Sequence, residues 1–326
     1  MPLRTLRRRT LLGAMALATL GRPARAQPAW PSGPIRLMAP FPPGGSVDSF
    51  ARLLAPTLSA LLGVPVVVEN RTGAGGALGT AAIARAAPDG QSWLVCFDTL
   101  ATMRALTPDL GFDPRRDFTP VMLLATAPML LTTPNDRPFR GLPEVLAAAR
   151  ARPETVTYGT IGIGSLAHLT MEVVQSRAGV RLVHVPYRGG SPLATAAAAG
   201  EIDLAIASPI GLGGQVGARL RALAQSGAER SAALRDLPTF AEAGVPDVAA
   251  NAFWGVLGPA GIPAPIIARF HAALAEALRE PLLRRRLIEG QGVDVVGSTP
   301  AEFGTFLDAQ MALWEAVIRE KGIRPT

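Results

Sequence analysis

A strand that runs into a glycine-rich loop, opens a helix and leads to another strand is spelled out twice in this chain, which constrains the fold more than any other feature. In the first copy an apolar run ending at Ala39 meets Pro40-Phe41-Pro42-Pro43-Gly44-Gly45-Ser46, and the pattern predicts a helix over 47–62 and a strand over 64–69. In the second, Thr155-Val156-Thr157-Tyr158-Gly159-Thr160-Ile161-Gly162-Ile163-Gly164-Ser165 precedes a helix over 166–178 and a strand over 180–185. This alternation implies α/β architecture with mainly parallel sheets. A loop of this kind leaves the first N–H groups of its helix unpaired at the positive end of the dipole, which suits an anion. Two copies predict two jaws closing on one negatively charged ligand.

The N-terminus reads as an export leader. Arg4 and Arg7-Arg8-Arg9 precede the short apolar run Leu11 to Leu20 and a small-residue site, Ala24-Arg25-Ala26, the layout of a signal peptide over 1–26. Arg8-Arg9-Thr10-Leu11-Leu12 also fits a twin-arginine signal, although ordinary secretion explains the same residues. Cleavage after Ala26 leaves 300 of the 326 residues, enough for two α/β domains with their own cores. The leader holds six arginines and no acid, so its loss takes the formal charge from +7 to +1. What remains lacks the basic stripe that nucleic-acid binding needs, and Arg284-Arg285-Arg286 reads as a solvated helix face. The sole cysteine, Cys96, lies in Trp93-Leu94-Val95-Cys96-Phe97 and reads as a core residue, with no disulfide partner and no nearby cation to activate it.

Further strands are predicted over 92–97, 119–125, 129–133, 201–207, 220–224 and 253–257, and helices over 77–87, 142–151, 190–200, 265–279, 281–289 and 300–321. The last three helices have apolar faces but no sheet of their own to cover. The chain is therefore expected to return to its first domain, crossing between domains near 124–130 and again near 250–256. Two crossings make a hinge, and the cleft beside a hinge is the usual place for a ligand.

At five blocks the chain resembles a known family. Pro40 to Asp48, Val68-Glu69-Asn70-Arg71-Thr72-Gly73-Ala74-Gly75-Gly76, Ala87-Pro88-Asp89-Gly90, His184-Val185-Pro186-Tyr187-Arg188-Gly189-Gly190 and Pro238-Thr239-Phe240-Ala241-Glu242-Ala243-Gly244 resemble, in order and spacing, the Bug family. Its members are periplasmic receptors associated with tripartite tricarboxylate transporters. The resemblance implies a type II periplasmic binding protein, or Venus flytrap: two doubly wound α/β domains joined by two crossover strands, monomeric, without catalysis or cofactor. Domain I would comprise 27–127 plus 254–326, and domain II 128–253. The implied ligand is a small organic carboxylate, and the implied partners are membrane transporter subunits. Carried over residue by residue, one jaw is Phe41, Gly44, Gly45, Ser46 and Asp48, and the other is Thr160, Gly162, Gly164, Ser165 and His168. An acid in a first helical turn also stabilises the helix end, so Asp48 has an indirect reading as a shaper of its loop. Ala207 and Ser208 complete the set; family members often carry Asp at the place of Ala207, where it meets a ligand amine. Its absence argues against an amino-acid ligand and favours an uncharged or acidic distal end.

Two enzymatic readings compete. Gly162-Ile163-Gly164-Ser165-Leu166-Ala167 matches a dinucleotide fingerprint, as in an NAD(P)-binding oxidoreductase, but the next strand, Leu182-Val183-His184-Val185-Pro186, offers no acid for the ribose. Ser165 with His168 or His184 and an acid such as Asp203 would suit a serine hydrolase, yet no Gly-x-Ser-x-Gly elbow is present and Ser165 also reads as a helix N-cap. Three scattered histidines and one cysteine provide no metal-ligand spacing.

Overall fold

A computed structural model describes residues 30–323, apart from Pro108 and Ala249. The expected leader, 1–26, lies outside the described residues. The chain runs β1 (Ile35–Ala39), α1 (Ser46–Leu62), β2 (Val66–Asn70), α2 (Ala77–Ala84), β3 (Ser92–Phe97), α3 (Leu100–Leu106) and β4 (Phe118–Pro128). It continues as β5 (Leu130–Pro134), α4 (Leu142–Ala151), β6 (Thr157–Thr160), α5 (Leu166–Ala178), β7 (Val183–Pro186), α6 (Gly190–Ala198), β8 (Leu204–Ala207) and β9 (Leu220–Gln225). The last part is β10 (Asn251–Pro259), α7 (Ala264–Arg279), α8 (Pro281–Arg285), β11 (Asp294–Val295) and α9 (Pro300–Lys321).

These strands form two sheets, one ordered β11-β4-β10-β3-β1-β2 and the other β7-β6-β8-β5-β9. Each sheet has a parallel part from the repeated strand–loop–helix units: β1 beside β2 and β3, and β6 beside β7 and β8. The expectation of mainly parallel sheets is corrected by β4, β5, β10 and β11, all of which pair antiparallel with their neighbours. The strands that carry the chain between the sheets, or return it, run against the strands of the βαβ units, and a direction of travel leaves no mark on side-chain periodicity.

The crossings are compact. Met129 alone separates β4 from β5. Its N–H donates to Ser226 Oγ at 2.8 Å, and its carbonyl accepts from the N–H of Ser226 at 2.9 Å. Ser226 Oγ also donates to the carbonyl of Ala250, beside Asn251, which pairs with Pro128. Both passages are thus stitched together at one serine.

The C-terminal helices do return to the first sheet. A Thr299–Glu302 capping box and Pro300 start α9, whose buried stripe Phe303, Leu307, Met311, Trp314 and Ile318 repeats every three or four residues and packs on β4. Gly255 in β10 leaves the space that the Phe303 ring fills, since a Cβ there would lie 2.1 Å from it. Cys96 is buried in β3, and burial pushes its thiol up to about 12, an inert core position.

Candidate functional site

The first glycine loop is held by an acid behind it. Gly44 takes a left-handed φ of +76°, and its N–H donates to Asp48 Oδ2 at 2.9 Å. Asp48 Oδ1 accepts from Asn70 Nδ2 at 2.9 Å and from Arg52 Nε at 2.9 Å, while the same Asn70 amide also reaches the carbonyl of Phe41 at 3.1 Å. Burial works against the charged form of Asp48, but the bonds from Arg52, the Gly44 amide and Asn70 outweigh it and hold the carboxyl below the usual range. The indirect reading of Asp48 therefore describes its geometry: it braces the loop. With Gly45 as N-cap and no capping side chain, the N–H groups of Ser46, Val47 and Asp48 meet no acceptor among the described residues.

The second glycine loop is braced in the same manner, by more groups. The N–H of Gly162 donates to Thr160 Oγ1 at 3.2 Å, and the N–H of Gly164 to His168 Nδ1 at 3.1 Å. Thr160 Oγ1 lies 2.7 Å from His184 Nε2, and the His168 and His184 rings stack with centroids 4.1 Å apart. Because Nδ1 of His168 accepts, its proton sits on Nε2, 3.7 Å from Glu172 Oε1. Burial lowers the pKa of His168 despite Glu172; burial and the neighbouring His168 lower that of His184 to about 4. Both rings are neutral at pH 7.

These bonds exclude the hydrolase constellation. Ser165 Oγ donates to the carbonyl of Gly162 at 2.7 Å and accepts from the backbone N–H of His168, as an N-cap does, and does not face the imidazole as a nucleophile must. Asp203 is committed to the N–H and hydroxyl of Thr157 and to Arg137. β7 presents His184 and no acid to its loop, so the dinucleotide reading finds no ribose partner there.

Between the sheets lies a narrow cavity of about 20 Å³. Of the expected site residues, Phe41, Gly45, Ser46, Ala207 and Ser208 line it. Gly44, Asp48, Thr160, Gly162, Gly164, Ser165 and His168 stand outside the lining; the second loop reaches the cavity through Ile161 and Ala167 instead. Gly164 is turned toward the other lobe, where a Cβ would come 2.0 Å from Leu106 Cδ1.

A third glycine loop supplies what sequence reasoning missed. Gly189, φ +116°, and Gly190 line the cavity at the start of α6, which also lacks a capping side chain. The first loop abuts this helix: Ser191 Oγ donates to the carbonyl of Pro43 at 3.3 Å, and a Cβ on Gly189 would lie 3.3 Å from Pro42. Glycines followed by Ser191-Pro192 are the same loop-then-helix signature seen in the first two copies, so the signal was present. Phe97, Met129 and Gly211 complete the lining.

Comparison with known proteins supplies an independent finding. Residues 50–323 match the family model described as tripartite tricarboxylate transporter family receptor. Protein BugT of Bordetella pertussis is 34% identical over 313 residues, covering 95% of each chain. The R. palustris protein Rpa4515, solved with adipate, superposes with a TM-score of 0.86 at 31% identity, over 91% of this chain and all of that one. MatC of Rhodopseudomonas palustris, solved with bound malate, gives a TM-score of 0.82 at 29% identity, over 88% and 99% of the two chains.

Proposed function

The chain belongs to the tripartite tricarboxylate transporter receptor family, and from that premise we propose that it captures a small organic carboxylate in the cavity between its two sheets. The family is one of solute receptors, so the chain is a binding protein and not an enzyme. The observation that carries the ligand class is the convergence of two uncapped helix starts, α1 and α6, on one cavity. Unpaired amides at a helix end suit an anionic acceptor, and a carboxylate supplies two oxygens with negative charge. Each charge-assisted hydrogen bond contributes about 1.5–3 kcal/mol and each helix end roughly 0.3–1 more. A few of these, less the cost of closure, reach about −8 kcal/mol, or micromolar affinity. The adipate and malate held by the two structural relatives support the same class.

In this reading Gly45, Ser46, Gly190 and Ser208 meet the ligand, while Gly44, Asp48, Thr160, Gly162, Gly164, Ser165 and His168 position the loops. Domain I is 27–127 plus 254–326 and domain II 128–253, a monomer hinged at Met129 and Ser226. The 1–26 leader exports the chain to the periplasm, where a closed, loaded receptor delivers its ligand to transporter subunits or to a signalling partner. No described helix is long and apolar enough to cross a membrane.

Thermal-shift screening of mono-, di- and tricarboxylates tests the ligand class, with a rise in Tm expected for at least one. Ser46→Ala should weaken that ligand about tenfold, the equivalent of one hydrogen bond at 1.4 kcal/mol, with Tm unchanged. A folded protein that no carboxylate stabilises would overturn the reading.

A further inference from the structure

We propose that the site selects a monocarboxylate with a compact apolar body over dicarboxylates and tricarboxylates. This rests on the carboxylate reading above and names the ligand class within it. The cavity is chemically lopsided. Its unpaired donors gather where the starts of α1 and α6 meet, at Ser46 and Gly190. The hinge side is Phe97 and Met129, with Phe41 and Ile161 beside them and one hydroxyl, that of Ser208.

That apolar wall is rigid. Phe97 pairs with Trp254 of β10 in the sheet, and their rings lie 5.2 Å apart. Phe41 meets Phe97 edge to face at 6.0 Å, and Phe50 stacks on the far side of Trp254 at 5.7 Å. Met129 is fixed through both backbone groups to Ser226. No Arg, Lys, His, Asp or Glu lines the cavity.

Nor does a charged group stand ready behind the wall to move in. Arg52 and Asp48 neutralise each other. His168 and His184 are neutral, and each has a ring nitrogen engaged in the second loop. Asp98, one residue past Phe97, has its carboxyl pushed well above the usual range by burial and is in any case an acid, which would repel a second carboxylate if ionised. One carboxylate finds matched donors; a second, directed to the hinge side, would lose its water against aromatic and thioether surface, with one hydroxyl and no cation in exchange. A methylene in the same place gains affinity by about fourfold on burial. Arg188, next to the lining residue Gly189, is exposed and outside the lining, a cation through which a second acid could rescue itself.

Hexanoate and adipate differ only in the terminal acid, which makes them a matched pair for titration calorimetry on the mature chain. Hexanoate should bind at least tenfold more tightly than adipate, and benzoate more tightly than isophthalate. Ile161→Lys, which adds a cation to the apolar wall at a half-exposed loop position, should move the hexanoate-to-adipate ratio at least tenfold toward adipate. Adipate binding as well as hexanoate, or adipate binding that Arg188→Ala abolishes, would overturn the selectivity and leave the carboxylate reading standing. Hexanamide binding as well as hexanoate would remove the carboxylate reading itself. Failure of all four acids to bind a folded protein would overturn the proposal too.

Discussion

Asp98 is the residue whose chemistry is least reconciled with its place. It is 1% exposed, and neither oxygen makes a hydrogen bond of good geometry among the described residues. Burial pushes its carboxyl well above the usual range, and the adjacent Thr99 amide offsets only part of that. In the unfolded chain the same group ionises near its ordinary value of 3.8, so above that pH the folded state holds a proton that the unfolded state releases. The contribution of Asp98 to stability therefore falls as pH rises from about 4 toward the folded value, the reverse of the usual acid behaviour. Asp98→Asn keeps the shape and cannot titrate. Its Tm, measured against the wild type from pH 4 to pH 8, should rise relative to it with increasing pH; a constant difference would mean that Asp98 is ionised and paired. Residues of this kind are not legible in a sequence, because an acid at a strand end normally faces water. Asp48 was half legible: its place in a first helical turn suggested helix-end stabilisation, but the bracing of Gly44 and Asn70 needs the loop folded back.

At the scale of elements, the βαβ units could be read because glycine loops and apolar runs mark them on both sides. α3 was missed: Thr99-Leu100-Ala101-Thr102 follows β3 with no turn signal, and Leu100–Leu106 is too short to show a period. β11, of two residues, has no pattern at all. The wall residues Phe97 and Met129 were assigned to strands, yet what a strand end faces depends on the neighbouring domain. The second loop shows how elements join into a device. Tyr158 of β6, His184 of β7 and His168 of α5 stack in series, at 4.9 Å and 4.1 Å, under the loop that β6 and α5 share. Glu172 faces the stack through Tyr158 Oη at 3.2 Å and His168 Nε2 at 3.7 Å. Protonating His168 would turn its Nδ1 from acceptor to donor against the N–H of Gly164, and two cations 4.1 Å apart would repel. Both histidines have folded pKa values below the ordinary 6.5, so the unfolded chain takes up protons first on acidification. Their contribution to stability is full above about 6.5 and is lost as pH falls toward 4, by at most about 1.4 kcal/mol per pH unit for each group. Denaturant titrations at pH 7, 6 and 5 should show this slope, and His184→Gln should flatten it. An unchanged slope in the variant would place the acid sensitivity elsewhere.

For the whole molecule, the question is what the two lobes gain by meeting. Contacts that join them include Ser191 to Pro43, Lys321 Nζ to Ser176 Oγ at 3.2 Å, Ser231 Oγ to Asp294 Oδ2 at 3.2 Å, and Gly164 against Leu106. The first two are exposed polar contacts and contribute little, about 0–1 kcal/mol each. In the proposed reading, closure draws on the ligand joining α1 to α6 and on Gly164 letting α3 approach. An alanine at 164 would carry two separate penalties. Its φ of +71° costs roughly 1–2 kcal/mol in either open or closed state, while its Cβ meets Leu106 only when the lobes are together. Small-angle scattering separates them, using the carboxylate that raises Tm most in the thermal-shift screen. The wild type should contract on saturation with that carboxylate; Gly164→Ala should not, and should bind it at least tenfold more weakly. Adding Leu106→Ala should restore contraction and affinity but leave Tm low, since the clash is relieved and the backbone strain is not. If Gly164→Ala contracts and binds like the wild type, the lobes close without this contact, and the glycine serves only the shape of its own loop.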